Sequence, residues 1–346
     1  MKFKFLSIKT CLRILFLLTV CFFSVSCEST SVGNTTPDWF LNYRTVYPDA
    51  EYIAQRGRAD SEESARTEAV AQIARYFQTS VNANLRTSIQ SVTNGENVSE
   101  TTSIINDVDV MSQVDLFAVE YTDPYYFAKE KKWYCVAFID REKAWYQYQP
   151  TVENAKSEFY AMKKNSENEN DSFTKSAAYA KAWKSGKRFL EKLEYARILN
   201  AKKEAVYADD RKNVSEIPSL ISAEQEKCTV YLSVNGDYGN IITSSLSQSL
   251  TKSDIKVTKS MGDANYIADA TIDANASGAD PISVCPSLDF KITSKSGKTV
   301  FSNLCKTEKK TISYTMENAL KKSLPDLAEK ADKEISSELS LLFDFK

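Results

Sequence analysis

The 346-residue chain contains no histidine. That excludes a Ser-His-Asp triad, a Cys-His dyad, His-ligated zinc and a histidine pH switch together. Glycine and proline are scarce, with 9 and 8 residues, which excludes fibrous repeats and low-complexity disorder. No G-x-x-x-x-G-K-S/T, G-x-S-x-G, H-E-x-x-H or EF-hand loop occurs, so the usual phosphate, acyl-transfer and metal signatures are missing. Neither charge sign dominates, with 44 basic against 46 acidic residues, and nothing favours a nucleic-acid partner. No C-x-x-C pair exists to suggest a metal or thioredoxin-like site. After residue 26 no apolar run reaches the roughly twenty residues a membrane helix needs.

What is present begins at the N-terminus. Lys2, Lys4, Lys9 and Arg13 form a basic stretch ahead of the apolar run Ile14–Phe23, and Ser24-Val25-Ser26-Cys27 follows before polar sequence resumes at Glu28. An apolar run of about ten residues suits the core of an export signal better than a bilayer span. Ser24-Val25-Ser26-Cys27 resembles a bacterial lipobox, with Ser24 standing where leucine is usual. Residues 1–26 are therefore expected to be a cleaved signal peptide, with cleavage between Ser26 and Cys27 and lipidation of Cys27. Several acyl chains on one cysteine hold durably, because each buried methylene contributes about 0.8 kcal/mol. Removing four of the 44 basic residues leaves a formal charge of about −6, so the acyl chains and not headgroup attraction would supply attachment. Glu28 occupies the position after the cysteine, where aspartate commonly retains a lipoprotein at the inner membrane. The outer membrane is expected instead. Residues 27–36 have the composition of a flexible tether.

Two domains are expected from a length of 346 residues. In the first, residues 37–149, Asp60-Ser61-Glu62-Glu63 reads as a capping box before a helix over 61–77 with an Ala-rich face at Ala65, Ala69, Ile73, Tyr76 and Phe77. Alternation from Phe77 to Ile89 predicts a strand, turned at Asn94-Gly95 into a hairpin reaching about residue 106. Strands over 113–121 and 132–139 follow, the second apolar on both faces and hence central. Asp140 caps a short closing helix, 141–149. Residues 150–207 read as a helical hairpin broken at 165–171, with Gly186 a potential kink. Residues 208–225 read as a linker.

The last domain, 226–346, reads strand 228–234, helix 239–253, strand 255–259 and strand 264–272. A hairpin of 283–294 with 298–304 and a helix over 316–343 complete it. Cys285 and Cys305 flank that hairpin and are either bridged or buried thiols. Asn235-Gly236-Asp237 ahead of the helix is either an anion site or a cap. Acidic pairs at Asp107/Asp109, Glu62/Glu63 and Asp209/Asp210 lie in hydrophilic sequence and read as solvated faces, since catalytic carboxylates need a cleft and a raised pKa. The fold class is α+β: two small α+β domains joined by a helical hairpin. No cofactor or metal is implied and the chain reads as a non-enzyme.

Pro37-Asp38-Trp39-Phe40, Tyr47-Pro48, Tyr52-Ile53 and Gly57-Arg58-Ala59, followed by the Ala-rich helix and closed by Trp133–Arg141, resemble the Lpp-twenty lipoproteins. That family is itself similar to the N-terminal part of the flagellar assembly protein FlgT. Ala59 replaces the usual second glycine. Cys228–Ile272, with its Ala264-Asn265-Tyr266-Ile267-Ala268-Asp269 strand, resembles the TolB N-terminal type of domain found in LpoB-like activators of peptidoglycan synthases. The resemblance implies a lipid-anchored scaffold or assembly factor of the cell envelope, on the periplasmic face of the outer membrane and flagellum-related. Its partners would be envelope or flagellar proteins. A regulator of a peptidoglycan synthase is the alternative, an envelope hydrolase the third. Pro37-Asp38-Trp39 would dock the tether against the domain; the alternative is that Trp39, Tyr43 and Tyr47 form an aromatic partner surface.

Overall fold

The computed structural model describes residues 36–92 and 118–343. They form a mixed α+β protein of two compact units that exchange chain at Gln78/Thr79 and Ala144/Trp145.

The first unit opens with two one-turn helices, α1 (Asp38–Leu41) and α2 (Tyr43–Val46), then β1 (Tyr52–Ala59) and α3 (Glu62–Val92). Short strands β2 (Val119–Tyr121) and β3 (Tyr125–Phe127) precede β4 (Lys132–Asp140). β4 is central, antiparallel to β1, β2 and β3. Both its faces are covered, as the unbroken apolar run Trp133–Ile139 requires. On one side Gly57, opposite Cys135 in the register, lets α3 approach at Ala65 and Ala69. On the other, Tyr134 and Val136 join Phe40, Tyr43 and Phe127 in an aromatic cluster.

α3 corrects the strand expected over 77–89: the helix runs unbroken to Val92. Ala65, Ala69, Ile73, Phe77 and Val81 are all buried, a continuous i, i+4 series that carries the apolar stripe past the predicted switch. The Asn94-Gly95 turn, the hairpin to residue 106 and the start of the 113–121 strand lie outside the described residues.

Asp140 caps as expected, its Oδ1 accepting from the amides of Glu142 and Lys143, each at 2.9 Å. The helix it starts, α4 (Arg141–Glu167), is not short and passes through Pro150 without a break. Proline removes one N–H···O bond from a helix interior. Here the residue is exposed, and the carbonyl it orphans belongs to Tyr146, itself an exposed residue.

α5 (Ser172–Glu204) begins at Asp171, whose Oδ1 accepts from Thr174 N at 3.1 Å. Its distortion falls at Asn200 (φ −154°, ψ 93°), not at Gly186. Gly186 is instead a close-approach position: a Cβ there would lie 2.8 Å from Val214 Cγ1 and 3.3 Å from the Phe159 ring. After a 3-10 turn, Ala205–Tyr207, the segment read as a linker folds as α6 (Ala208–Ser215) and α7 (Ile217–Gln225). Val214, Ile217 and Ile221 are completely buried, so three scattered apolar residues in a polar segment suffice once the two short helices turn them inward.

β5 (Thr229–Asn235), α8 (Ile241–Lys252), β6 (Lys256–Thr258) and β7 (Tyr266–Asp273) follow in the predicted order. Next come β8 (Ile282–Val284), β9 (Ser287–Ser294), β10 (Thr299–Lys306), β11 (Thr311–Ser313) and α9 (Met316–Phe343). The five-stranded sheet has the order β10-β9-β7-β5-β6, with β5 parallel to β6 and β7 and the remaining pairs antiparallel. The strand expected over 283–294 divides at Cys285-Pro286, and β8 pairs with β11 as a separate ribbon. One sheet face packs on α8 and α9 through Val230, Ala268, Phe290, Ile292, Leu246, Leu324, Leu327 and Ile335. α5 contributes Phe173 to this core, its amide donating to Tyr266 Oη at 3.0 Å.

Candidate partner-binding surface

Ser26 and Cys27 lie outside the described residues, as does most of the tether. Trp39, Tyr43 and Tyr47 are described. α1 and α2 close on themselves, with Asn42 N donating to Asp38 O at 2.8 Å and Tyr47 N to Tyr43 O at 2.7 Å. Each is only one turn long, so neither persists in water without tertiary contacts. Aromatic packing supplies them. Phe40 meets Tyr134 edge-on at 4.5 Å and Tyr47 stacks on Phe138 at 4.3 Å. Tyr43 is buried, while Trp39 and Tyr47 are half-buried against the same cluster. Burial pushes the Tyr47 phenol above its ordinary pKa. The three aromatics thus pack toward the sheet. What the two helices turn outward is Leu41 and Val46, 55% and 52% exposed.

Three arginines rim this cluster. The Arg56 guanidinium lies 5.3 Å from the Phe40 ring centre and 5.1 Å from that of Tyr43. Arg44 sits 5.8 Å from the Tyr43 ring and Arg58 5.8 Å from that of Tyr134. Arg58 also pairs with Glu130 at 2.6 Å, and Arg44 with Asp49 at 3.7 Å. Among the described residues Arg56 makes no ion pair. Each exposed cation–π contact is worth about 0.5–1 kcal/mol, which helps orient the guanidinium, and Arg56 Nη1 also donates to the Phe40 carbonyl at 3.5 Å. An arginine flattened on aromatic rings beside exposed aliphatic side chains has the composition enriched at protein interfaces. Arg56 and Arg58 carried a signal in the sequence: they share strand parity, so both had to emerge on the face opposite Gly57.

The remaining candidates resolve as supports of the fold. Asp210, read as solvated, is buried and accepts from Lys156 Nζ at 2.8 Å and Tyr160 Oη at 2.6 Å. Burial, reinforced by that hydrogen bond to a carboxylate, pushes the Tyr160 phenol up to about 12. Glu62 pairs with Arg66 at 2.9 Å. Asp107 and Asp109 lie outside the described residues. Asp237 caps α8, its carboxylate accepting from the amides of Ile242 at 3.2 Å and Thr243 at 2.8 Å. An internal carboxylate therefore occupies the helix N-terminus that an external anion would need. Cys285 and Cys305 are both unbridged thiols. Sequence reasoning missed Glu194, completely buried and paired with Arg211 at 2.8 Å, which in turn binds Glu204 at 2.7 Å. Nothing in their spacing singles out these residues. Among the described residues no group of three or more Cys, Asp or Glu is placed to hold a metal. None of their helices is long and apolar enough to cross a membrane.

The described elements define the class as mixed α+β. No family model matches the chain, and neither does any curated protein. The resemblance to Lpp-twenty and TolB-type domains thus remains one of short motifs. Solved structures that align with the chain include two bacterial proteins. A minor lipoprotein from Acinetobacter baumannii aligns over 33% of this chain and 95% of its own at 13% identity, with a TM-score of 0.23. The secreted protein HP1454 from Helicobacter pylori aligns over 85% of this chain and 99% of its own at 12% identity, with a TM-score of 0.35.

Proposed function

We propose that the chain is a lipid-anchored protein of the bacterial cell envelope that works as a non-enzymatic scaffold or assembly factor. The observation that carries this reading is the basic stretch, apolar run and Ser24-Val25-Ser26-Cys27 in sequence order, with polar chain beginning at once behind the cysteine. Acylated Cys27 supplies attachment to the periplasmic face of the outer membrane. Nine residues, 28–36, separate that anchor from the folded chain, ten Cα steps from Cys27 to Pro37. At no more than about 3.5 Å per residue they allow a reach of about 35 Å, which keeps the first unit near the membrane surface.

Contact with partners falls to the first unit's outward face, where Leu41 and Val46 lie in the helices packed beneath Arg56. Trp39, Tyr43 and Tyr47 hold those helices in place and act on a partner indirectly. The motif resemblance favours flagellar or other envelope proteins as partners, with a peptidoglycan synthase as the alternative. Crosslinking in intact cells from a photoreactive residue at Val46 separates these outcomes. Recovery of flagellar components supports the first and recovery of a cell-wall synthase the second. Recovery of neither, together with hydrolysis of a glycan or peptide by the purified chain, would overturn both.

A further inference from the structure

β10 is the outer strand of the five-stranded sheet, and among the described residues it pairs only with β9. Its regular pairing begins after a bulge between Thr299 and Phe301 and ends at Lys306, whose carbonyl accepts from Lys330 Nζ at 2.8 Å. Between those points the strand alternates. Phe301 and Cys305 turn into the core, while Ser302, Leu304 and Lys306 turn out. Leu304 is 70% exposed, and just beyond the strand Ile312 and Tyr314 are 60% and 82% exposed. An open edge with exposed aliphatic side chains is a template for another strand.

Along the chain around this edge the charge is mostly of one sign, and the acidic Glu334 and Glu338 of α9 act on Cys305, which faces the core. Residues 295–314 contain Lys295, Lys298, Lys306, Lys309 and Lys310 against a single acidic residue, Glu308, in a chain whose formal charge is −2. Lys298, Lys306, Lys309 and Lys310 are exposed and, among the described residues, make no ion pair. Lysine on an edge strand repels like edges. Antiparallel pairing of β10 with its own copy would set these lysines against one another with one glutamate on each side to offset them. An edge with that charge selects an occupant of opposite sign.

We propose that the outer edge of β10 binds an extended acidic segment of a partner protein by strand addition. The backbone between Phe301 and Cys305 supplies the ladder, Leu304 meets an apolar side chain of the added strand, and Lys306, Lys309 and Lys310 meet its carboxylates. This site lies in the second unit and is independent of Cys27 and of the α1–α2 surface, so its failure leaves the anchoring proposal intact.

The test is selection of linear peptides from a random displayed library on the full chain, followed by titration of a labelled selected peptide. Enriched peptides should be acidic with alternating aliphatic residues, and binding should slow hydrogen exchange of the Phe301–Cys305 amides. Reversing charge in Lys306→Glu/Lys309→Glu/Lys310→Glu should weaken binding about tenfold or more, with an unchanged melting temperature. A lysine-for-glutamate version of the same peptide should then recover binding to that variant. Leu304→Asp, at a surface position, gives an independent loss. No enrichment, enrichment of neutral or basic peptides, or exchange protection elsewhere would overturn the proposal. So would a dimer in sedimentation that Leu304→Asp abolishes, which would assign the edge to a second copy.

Discussion

A Cβ on Gly57 would stand 1.9 Å from the Ala65 carbonyl oxygen and 2.7 Å from the Ala69 amide nitrogen. The obstacles are backbone atoms of α3, which no rotamer change can move. Gly57→Ala therefore forces helix and sheet apart across the Cys135 face. A cost of about 2–4 kcal/mol is expected, above the usual overpacking penalty because the whole helix must shift. Denaturant unfolding followed by circular dichroism checks this, and a loss under about 1 kcal/mol would contradict the close-approach account.

This contact also shows how far the sequence could be read. The Ala-rich stripe and the two-faced apolar strand Trp133–Ile139 were legible because each follows from local periodicity, whereas Gly57 stood out only through the motif resemblance. The strand expected after Phe77 failed for a physical reason. Thr79, Val81, Ala83 and Leu85 alternate, yet Val81 also extends the helical series Ala65-Ala69-Ile73-Phe77, and tertiary burial selects the helix. The closing helix expected over 141–149 runs on to Glu167 through Pro150. The arginine rim was only half visible: parity placed Arg56 and Arg58 together, but Phe40 and Tyr43 reach them from a segment sixteen and thirteen residues away.

Arg211 stands between two carboxylates, Glu194 and Glu204, the first fully buried. Arg211→Ala removes the 2.8 Å partner of Glu194, leaving it Arg197 at 3.7 Å, and the 2.7 Å partner of Glu204, both in a low-dielectric setting. Breaking a buried pair from one side costs about 3–5 kcal/mol, and urea unfolding should register a loss of that order. Substituting Glu194 and Glu204 by glutamine in the same background should recover much of it.

α8 and α9 are joined by Asp332, which accepts from Ser249 Oγ at 2.7 Å and Lys252 Nζ at 2.9 Å. The hydrogen bond from Ser249, then that from Lys252, holds the Asp332 carboxyl below its ordinary value. A depressed folded pKa stabilises above the unfolded value near 3.8 and is lost as pH falls through the folded one. Asp332→Asn should therefore reduce stability at neutral pH by up to about 1 kcal/mol, the partly exposed setting limiting the effect. The difference from wild type should shrink toward strongly acid pH. A difference that grows with acidity would contradict the assignment.

The four thiols among the described residues differ in access. Burial raises Cys135 and pushes Cys228 and Cys305 up to about 12, while Cys285 is only half-buried. The thiolate is the reactive form, so iodoacetamide on the native chain near neutral pH should modify Cys285 first. The other three should react at the rate of unfolding. For Cys228 and Cys305 the folded pKa exceeds the unfolded one, so stability present below pH 9 falls away as pH rises toward 12. Mass mapping of alkylated peptides reads the order directly. Early modification of Cys228 would contradict its placement in the core.

The most direct measurement is the mass of the N-terminal peptide of the chain recovered from its own cells. The account predicts a first residue at Cys27 carrying the added mass of acyl chains, with metabolic fatty-acid label lost in Cys27→Ala. A free, unacylated terminus at any other residue, with the chain released from the membrane fraction, would contradict it.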